Sequence, residues 1–145
     1  PNDIMSGNKK IAGILIENSF FRNKIVDSII GIGLNVNQID FDLITNATSM
    51  KILKNESFDL NKLSNEFIKK FSLLEFQIKK LSKAGLLKKF SSNLYGLRKK
   101  QKFQIDNKIV EGYIFGISDD YRLKVMIEKQ IKHFDNGQIK SITQL

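Results

Sequence analysis

Hydrophobic and polar positions divide the chain into a β-rich start, a helical middle and a β-rich end. Residues 10–17 (KIAGILIE) form a hydrophobic run with a charge at each end, which predicts a buried sheet strand. A second run at 24–35 (KIVDSIIGIGLN) is dominated by Ile and Val and predicts a neighbouring strand. Residues 18–23 are expected to form a hairpin-like connection, and turn-forming clusters occupy 1–3 and 6–8.

The middle of the chain has the periodicity of helices. Behind a candidate N-cap, Asp59, hydrophobic residues recur at spacings of three and four: Leu60, Leu63, Phe67, Phe71, Leu74, Ile78 and Leu81. One apolar stripe opposite a lysine-bearing face predicts a packing helix, and a coiled coil is disfavoured because the pattern ends near Gly85. Shorter helices are predicted at 50–54, behind cap-type side chains at 45–49, and at 86–94.

Beyond residue 97 the helical period disappears and short β-type runs follow at close spacing. Turn-forming residues such as Asp135, Asn136 and Gly137 separate them. The runs cover residues 102–105, 109–117, 123–128, 131–134 and 138–142. Several short strands at this spacing predict a small barrel or sandwich, so a domain boundary is predicted near residues 95–98.

Composition excludes several classes of function. A chain of 145 residues fits one ordinary domain, or one domain with a small appendage. Because the chain has no Cys, disulfide frameworks, thiolate chemistry and zinc–thiolate sites are excluded. No apolar stretch approaches the length of a membrane span, and no signal-peptide pattern is present. The sequence therefore predicts a cytoplasmic protein with no membrane partner.

The formal net charge of +9 comes mostly from lysine, since Arg22, Arg98 and Arg122 are the only arginines among 24 basic residues. Bidentate recognition of phosphates and bases favours arginine, so this excess does not favour a nucleic-acid partner. Anionic small molecules and an acidic protein partner remain compatible with it. For the basic run at 98–102, a solvated face is favoured over contact with phosphates.

The second predicted strand carries a pair of glycines, Gly31 and Gly33. Residues two apart lie on the same face of a strand, so the pair leaves one face without side chains. Such a gap marks close approach of a ligand or of another backbone. A bulge or a tight packing contact explains the same spacing equally well.

Several polar residues are predicted to meet beside these glycines. Lys10 begins the first strand after a turn that contains Asn2 and Asp3, while Asn35 and Asn37 end the second strand. If the strands pair, a lysine, a carboxylate and amides converge on a glycine-lined floor, which suits an anionic ligand. Taken alone, however, the spacing favours the simpler interpretation of a capped turn and a solvated lysine.

Four motifs, in this order, change that balance: PND, KIAGILIE, IIGIGLNVN and NATSM. They resemble the KWPND turn, the glycine-bearing strands and the A-T-S segment of the biotin–protein ligases (biotin–[acetyl-CoA carboxylase] ligases). The resemblance covers essentially the whole chain. It implies an α+β fold: a class II aminoacyl-tRNA synthetase/biotin ligase-like mixed sheet with packing helices, N-terminally truncated, at 1–96. A small SH3-like β-barrel is expected to follow at 97–145.

The resemblance also implies an activity. It predicts the ATP-dependent, AMP-forming conversion of biotin to biotinyl-5′-AMP and its transfer to a lysine of a biotin carboxyl carrier protein. The expected substrates and cofactors are biotin, ATP and Mg²⁺, and a homodimer through the catalytic sheet is expected. Since the chain starts inside the KWPND motif, an upstream part is expected to be missing, and these residues alone are expected to show no appreciable ligase activity.

Site residues follow from the resemblance position by position. Lys10 is the expected catalytic lysine, which neutralises charge on the biotin carboxylate and the α-phosphate and so contacts both biotin and ATP. Asp3 is expected to receive or orient the attacking amine. Asn2 and Asn35 are expected to contact the adenylate, with Asn35 also a candidate Mg²⁺ ligand. The biotin pocket is expected at four positions: Gly13, Leu15, Gly31 and Gly33.

Two alternative functions stay open. A lipoate- or octanoate-transferring relative shares the catalytic architecture, although the KIAGIL strand and the C-terminal barrel argue against it. From a different class, the chain fits a non-catalytic SH3-like scaffold or a nucleic-acid-binding module. Gln138 stands where many of the ligases carry glutamate, which leaves open the contacts that the barrel makes.

Overall fold

A computed structural model of the chain describes residues 2–41 and 46–142. The predicted turn at Pro1 and the cap-type residue Thr45 lie outside the described part. Among the described residues, strands come first, helices follow and strands return, which is the α+β arrangement predicted. The elements are β1 Asp3–Ser6, β2 Lys9–Phe21, β3 Lys24–Leu34, α1 Met50–Lys54, α2 Leu60–Ile78, α3 Lys83–Ser92, β4 Lys100–Ile105, β5 Lys108–Ile117, β6 Leu123–Ile127, β7 Gln130–Phe134 and β8 Lys140–Ile142.

The chain forms two compact units, one that ends at Ile68 and one that begins at Lys69, so helix α2 contributes to both. The predicted domain boundary near residues 95–98 stays a prediction. Within residues 2–41 and 46–142, no helix combines the length and hydropathy needed to cross a membrane.

The first unit contains an antiparallel sheet in the order β1-β2-β3. Strand β1 was not predicted, because four residues between two turn-forming clusters are too few to show a period. The turn that follows it contains Gly7 at a φ of 58°, a conformation that glycine adopts without steric cost.

Strands β2 and β3 form a long hairpin with a two-residue turn. Arg22 and Asn23 have φ angles of 46° and 61°, the left-handed conformation at both central positions that favours tight hairpins. The prediction of a connection at 18–23 is therefore wrong over its first four residues. Pairing continues through them, and the Ser28 hydroxyl donates to Asn18 Oδ1 at 2.7 Å.

The prediction that the first hydrophobic strand is buried is also wrong in the described structure. Ala12 is buried, but Leu15 and Ile16 are 58% and 56% exposed. Hydrogen bonding to β1 and β3 satisfies the edges of β2, whereas burial needs a layer on each face. Among the described residues, most of this hairpin has no such layer, and β3 is exposed along its whole length.

The three helices begin at residues whose side chains accept backbone hydrogen bonds. Asp59 Oδ1 accepts from the amides of Asn61 at 2.8 Å and Lys62 at 3.0 Å, so the predicted start of α2 is confirmed. Ser82 caps α3 through the Gly85 amide at 3.2 Å, which starts this helix three residues before the predicted position. No residue of α2 is buried in the described structure, so the burial expected of a packing helix is not seen there.

The second unit contains a five-stranded antiparallel sheet in the order β7-β6-β5-β4-β8. All five predicted strands are present, which agrees with an SH3-like unit, although the sheet is open in the described residues. Its core consists of four buried side chains: Phe103, Ile114, Val125 and Ile127. Helix α3 packs against β5, where Ser91 Oγ accepts a hydrogen bond from the Ile117 amide at 3.1 Å.

Candidate functional site

Lys10 lies near the start of β2, and its peptide groups are held on both sides by the segment at 46–48. The Lys10 amide donates to the Asn46 carbonyl at 2.7 Å, and the Thr48 amide donates to the Lys10 carbonyl at 2.9 Å. This arrangement is a parallel bridge between Lys10 and Ala47. The NATSM motif therefore fixes the backbone of the motif lysine.

The Lys10 side chain reaches the sheet face that carries Asp3 and Gly13. Its ammonium lies 2.6 Å from Asp3 Oδ1, with the two side chains 46% and 56% exposed. Asp3 pairs with Gly13 across the β1–β2 ladder. A Cβ built on Gly13 would lie 3.5 Å from Lys10 Cε and Nζ, so the absence of that side chain leaves space beside the ammonium. Both charged groups are accessible to a ligand.

The predicted glycine floor is present next to the ammonium. Gly13 lies opposite Gly33, and Leu15 lies opposite Gly31 two residues further along the same face. A Cβ on Gly33 would meet no atom within 4 Å, and one on Gly31 would meet Leu15 alone, at 3.9 Å. In the described structure these glycines face open space, so neither the bulge nor the tight packing contact explains them.

The side chains of Asn35 and Asn37, which follow β3, bond to different segments of the chain. Asn35 Nδ2 donates to the Thr48 carbonyl at 3.0 Å, which joins the strand to the segment that holds Lys10. Asn37 uses both side-chain groups on Phe58: Nδ2 donates to its carbonyl at 2.8 Å and Oδ1 accepts from its amide at 2.9 Å. Asn37 therefore serves the fold, and its expected convergence on the ligand is wrong.

Asn2 is exposed, and its carbonyl accepts a hydrogen bond from the Ile14 amide at 2.7 Å. This contact places Asn2 at the same end of the sheet as Asp3. The predicted residues thus lie together: Asn2 directly before β1, Asp3 on β1, and Lys10 and Gly13 on β2.

Two buried polar residues beside the site were not predicted as such. Thr48 and Ser49 are 1% and 0% exposed. Ser49 Oγ accepts from the Ile52 amide at 3.2 Å and caps α1, whereas Thr48 Oγ1 has no hydrogen-bond partner among the described residues. The sequence showed cap-type side chains here, but burial depends on β2 and β3, which lie far away along the chain.

The second unit has a surface cavity of about 610 Å³, lined among others by Ile109, Tyr113 and Met126. At its edge, Lys100 Nζ lies 2.6 Å from Glu111 Oε2. The hydrogen bond and charge of Glu111 raise the pKa of Lys100, and Lys100 lowers the pKa of Glu111. Within the basic run at 98–102, this lysine is therefore held by a carboxylate.

The chain is similar in structure to biotin protein ligase from Aquifex aeolicus. For the apo enzyme the TM-score is 0.76 at 25% identity, over 99% of this chain and 63% of the ligase chain. For the enzyme in complex with biotin and ATP, the TM-score is 0.75 at 25% identity, over 99% of this chain and 60% of the ligase chain. For a mutant of the enzyme in complex with biotin, the TM-score is 0.74 at the same identity and coverage.

At the level of sequence, no family model and no curated protein matches the chain. The chain spans about three fifths of the length of the ligase chains that it matches in structure. The similarity extends over both units, and the resemblance expected from the four motifs is confirmed. The chain is thus a structural relative of the biotin protein ligases and corresponds to the C-terminal part of their fold.

Proposed function

We propose that this chain carries part of the active site of a biotin protein ligase. In the proposed reaction, biotin and ATP form biotinyl-5′-AMP, and the acyl group then passes to a carrier-protein lysine. The main support is the Lys10 ammonium beside a glycine floor, in a fold similar to that of a ligase whose structure includes biotin and ATP.

In the first step, a biotin carboxylate oxygen attacks the α-phosphorus of ATP, and the bond to pyrophosphate breaks. Negative charge is brought together where two anions react. The Lys10 ammonium is a fixed positive charge that offsets it, and loss of such a preorganised group typically costs about 10²–10³ in rate. Its present partner is weakly held, since an exposed ion pair contributes at most about 1 kcal/mol, so a ligand anion can replace Asp3.

The glycine floor gives the ligand room. Because Gly33 and Gly31 carry no side chains, an acyl chain can lie against the backbone of β2 and β3. Leu15 offers an apolar contact next to Gly31 on the same face. A carboxylate at Lys10 and an apolar chain that runs towards Leu15 match the carboxylate and the aliphatic chain of biotin.

In the second step, the carrier lysine's amine attacks the acyl carbonyl, AMP leaves and the amine loses a proton. A free lysine with a pKa of about 10.4 is neutral in only roughly one molecule in 2,500 at pH 7. Asp3 is suited to orient this amine and to accept its proton late in the attack, once a ligand has taken its place beside Lys10. Ground-state pairing alone would raise the pKa of the amine.

Mg²⁺ is expected to arrive with the phosphates of ATP, as part of the substrate. In the described part of the chain, no group of three or more His, Cys, Asp or Glu side chains is placed to hold a metal ion. The amide nitrogen of Asn35, the candidate ligand, is engaged with Thr48. A metal would bind the side-chain oxygen of Asn35 instead, so the role of Asn35 as an Mg²⁺ ligand stays a prediction.

Calorimetric titration of the chain with biotinyl-5′-AMP tests the proposal. Lys10→Ala is expected to weaken binding about ten- to hundredfold, the usual range for a lost hydrogen bond to a charged group. Lys9→Ala is the matched control, since it removes the adjacent lysine of β2 and is expected to leave the affinity unchanged. Equal losses in both variants, or tighter binding of octanoyl-AMP than of biotinyl-5′-AMP, would contradict the proposal.

A further inference from the structure

We infer that Asn35 is a positioning residue, whose side chain keeps Lys10 in place by holding the segment at 46–48 against β2. This inference rests on the proposed role of Lys10. It gives Asn35 a task that the resemblance does not imply, because the resemblance offers it as a contact for the adenylate or for Mg²⁺.

The first support is that Lys10 depends on a segment outside its own hairpin. Its amide and carbonyl both bond to residues 46–48, with distances of 2.7 and 2.9 Å. If this segment shifts, the start of β2 loses two hydrogen bonds on one side. The ammonium is carried by that same residue, so its place over Gly13 shifts as well.

The second support is that Asn35, which directly follows β3, forms three hydrogen bonds to backbone groups, one of them within the segment at 46–48. Its side-chain amide donates to the Thr48 carbonyl at 3.0 Å. Its carbonyl accepts from the Met50 amide at 3.0 Å, and its own amide donates to the Ile11 carbonyl at 2.9 Å. Asn35 therefore contacts the backbone on both sides of Ser49 and at Ile11, next to Lys10.

The third support is that the Thr48 side chain forms no hydrogen bond with the described residues. It is 1% exposed, and its hydroxyl has no hydrogen-bond partner among the described residues. Its position therefore depends on its backbone bonds and on the Asn35 amide. Removal of that amide is expected to loosen Thr48 and, through it, Lys10.

Asn35→Asp separates this role from metal binding. The positioning role needs the nitrogen donor, whereas a metal ligand needs the oxygen, which aspartate keeps and charges. In Asn35→Asp a carboxylate oxygen would face the Thr48 carbonyl, so we expect a loss of biotinyl-5′-AMP affinity at least as large as in Asn35→Ala. An affinity that is retained in Asn35→Asp, or restored by added Mg²⁺, would overturn the inference.

A double-mutant cycle tests whether Asn35 acts through Lys10. Asn35→Ala alone is expected to weaken binding about ten- to hundredfold, as displacement of a positioned group does. In the Lys10→Ala background it is expected to have little further effect, because the group that it positions is gone. If the losses of affinity in the two single variants instead multiply in the double variant, Asn35 contacts the ligand independently and the inference is overturned.

Asn37→Ala is the matched control, because it removes similar side-chain hydrogen bonds to the backbone. These bonds go to Phe58 and not to the segment at 46–48. This variant is expected to lower the melting temperature without weakening binding. Amide hydrogen exchange adds a readout that does not depend on the ligand: Asn35→Ala should speed exchange at Lys10 and Thr48, and Asn37→Ala should not. If the wild-type chain does not bind the adenylate, the proposed function fails, and unchanged exchange at both amides separately overturns the positioning role.

Discussion

The turn at Ser118–Arg122 shows how strongly neighbouring groups act on a single residue. The Ser118 hydroxyl donates to Asp120 Oδ1, and the Arg122 guanidinium lies 2.6 Å from Oδ2. The hydroxyl and the guanidinium together lower the pKa of Asp120 from 3.8 to about 2. The sequence predicted strands at 109–117 and 123–128, and the structure adds that the Asp120 carboxylate in the turn between them is stabilised in the charged form.

This shift predicts a pH-dependent contribution to stability. A carboxyl whose pKa is lowered on folding stabilises the protein above its unfolded pKa, near 4, and the contribution is lost as pH falls towards 2. Asp120→Asn should therefore lower the melting temperature at pH 6, with the difference from wild type shrinking between about pH 4 and pH 2. Thermal unfolding followed by circular dichroism measures it, with Asp119→Asn as control. A difference that is constant from pH 6 to pH 2 would contradict the prediction.

A second prediction at this scale concerns Asp3, whose carboxylate forms an ion pair with the Lys10 ammonium. If a ligand anion must displace it, Asp3→Asn should tighten binding of biotinyl-5′-AMP. The gain is limited to roughly fivefold, because an exposed ion pair contributes at most about 1 kcal/mol, and it should shrink at high salt. Titration at two salt concentrations measures it, with Asp27→Asn on the same hairpin as control. Weaker binding at both concentrations would show that Asp3 assists the adenylate instead.

At the scale of elements, two strand glycines illustrate opposite reasons for lacking a side chain. A Cβ on Gly112 of β5 would lie 2.7 Å from the Met126 carbonyl oxygen and 3.1 Å from Ile127 Cγ1. A Cβ on Gly33 of β3 would meet nothing within 4 Å. The first glycine is required by the packing of the sheet, whereas the second leaves a space that the fold itself does not need.

This contrast predicts a separation of stability from binding. Gly33→Val should keep or raise the melting temperature, since valine favours strands, but it should abolish detectable binding of biotinyl-5′-AMP by filling the floor. Gly112→Ala should lower the melting temperature, because backbone must move to admit the methyl group. Thermal unfolding and titration of the two variants provide the measurement. Full ligand affinity in Gly33→Val would exclude the glycine floor as part of the site.

Elements with a clear period were predictable from the sequence, and those set by tertiary contacts were not. The stripe from Leu60 to Ile78 predicts α2 because helical spacing is a local property. Lys10, Gly31 and Gly33 were predicted as site residues from the order of the motifs, because their spacing alone also fits simpler explanations. The role of Asn37 was missed because its partner, Phe58, lies 21 residues away and offers only backbone groups.

At the scale of the whole molecule, the first unit exposes much apolar surface. Strand β3 forms an edge of the three-stranded sheet in the described residues, and Val26 and Ile29 on it are 55% and 69% exposed. An unpaired strand edge with apolar neighbours favours pairing with a second strand. This is the surface on which we place the proposed homodimer through the catalytic sheet.

That proposal predicts a concentration-dependent dimer. Val26→Lys adds a charge on the exposed edge, which should keep the chain monomeric at concentrations where the wild type associates. Sedimentation velocity over a concentration series measures the oligomeric state. Ile109→Lys changes a residue of β5 that is 67% exposed and should associate like the wild type. A wild type that stays monomeric throughout would rule out this surface as a dimer interface.

The tight turn at Arg22 and Asn23 makes the binding face depend on the number of residues in each arm of the hairpin. If one residue were deleted between the turn and Gly31 while pairing from the turn persisted, the arm would rotate by one position. Ile32 and Leu34 would then replace the glycines below the ammonium. Substitutions in the turn do not change which side chains lie on this face. The insertion or deletion of a single residue moves every following side chain to the opposite face. Among natural variants, we therefore expect this arm to differ in length only by an even number of residues.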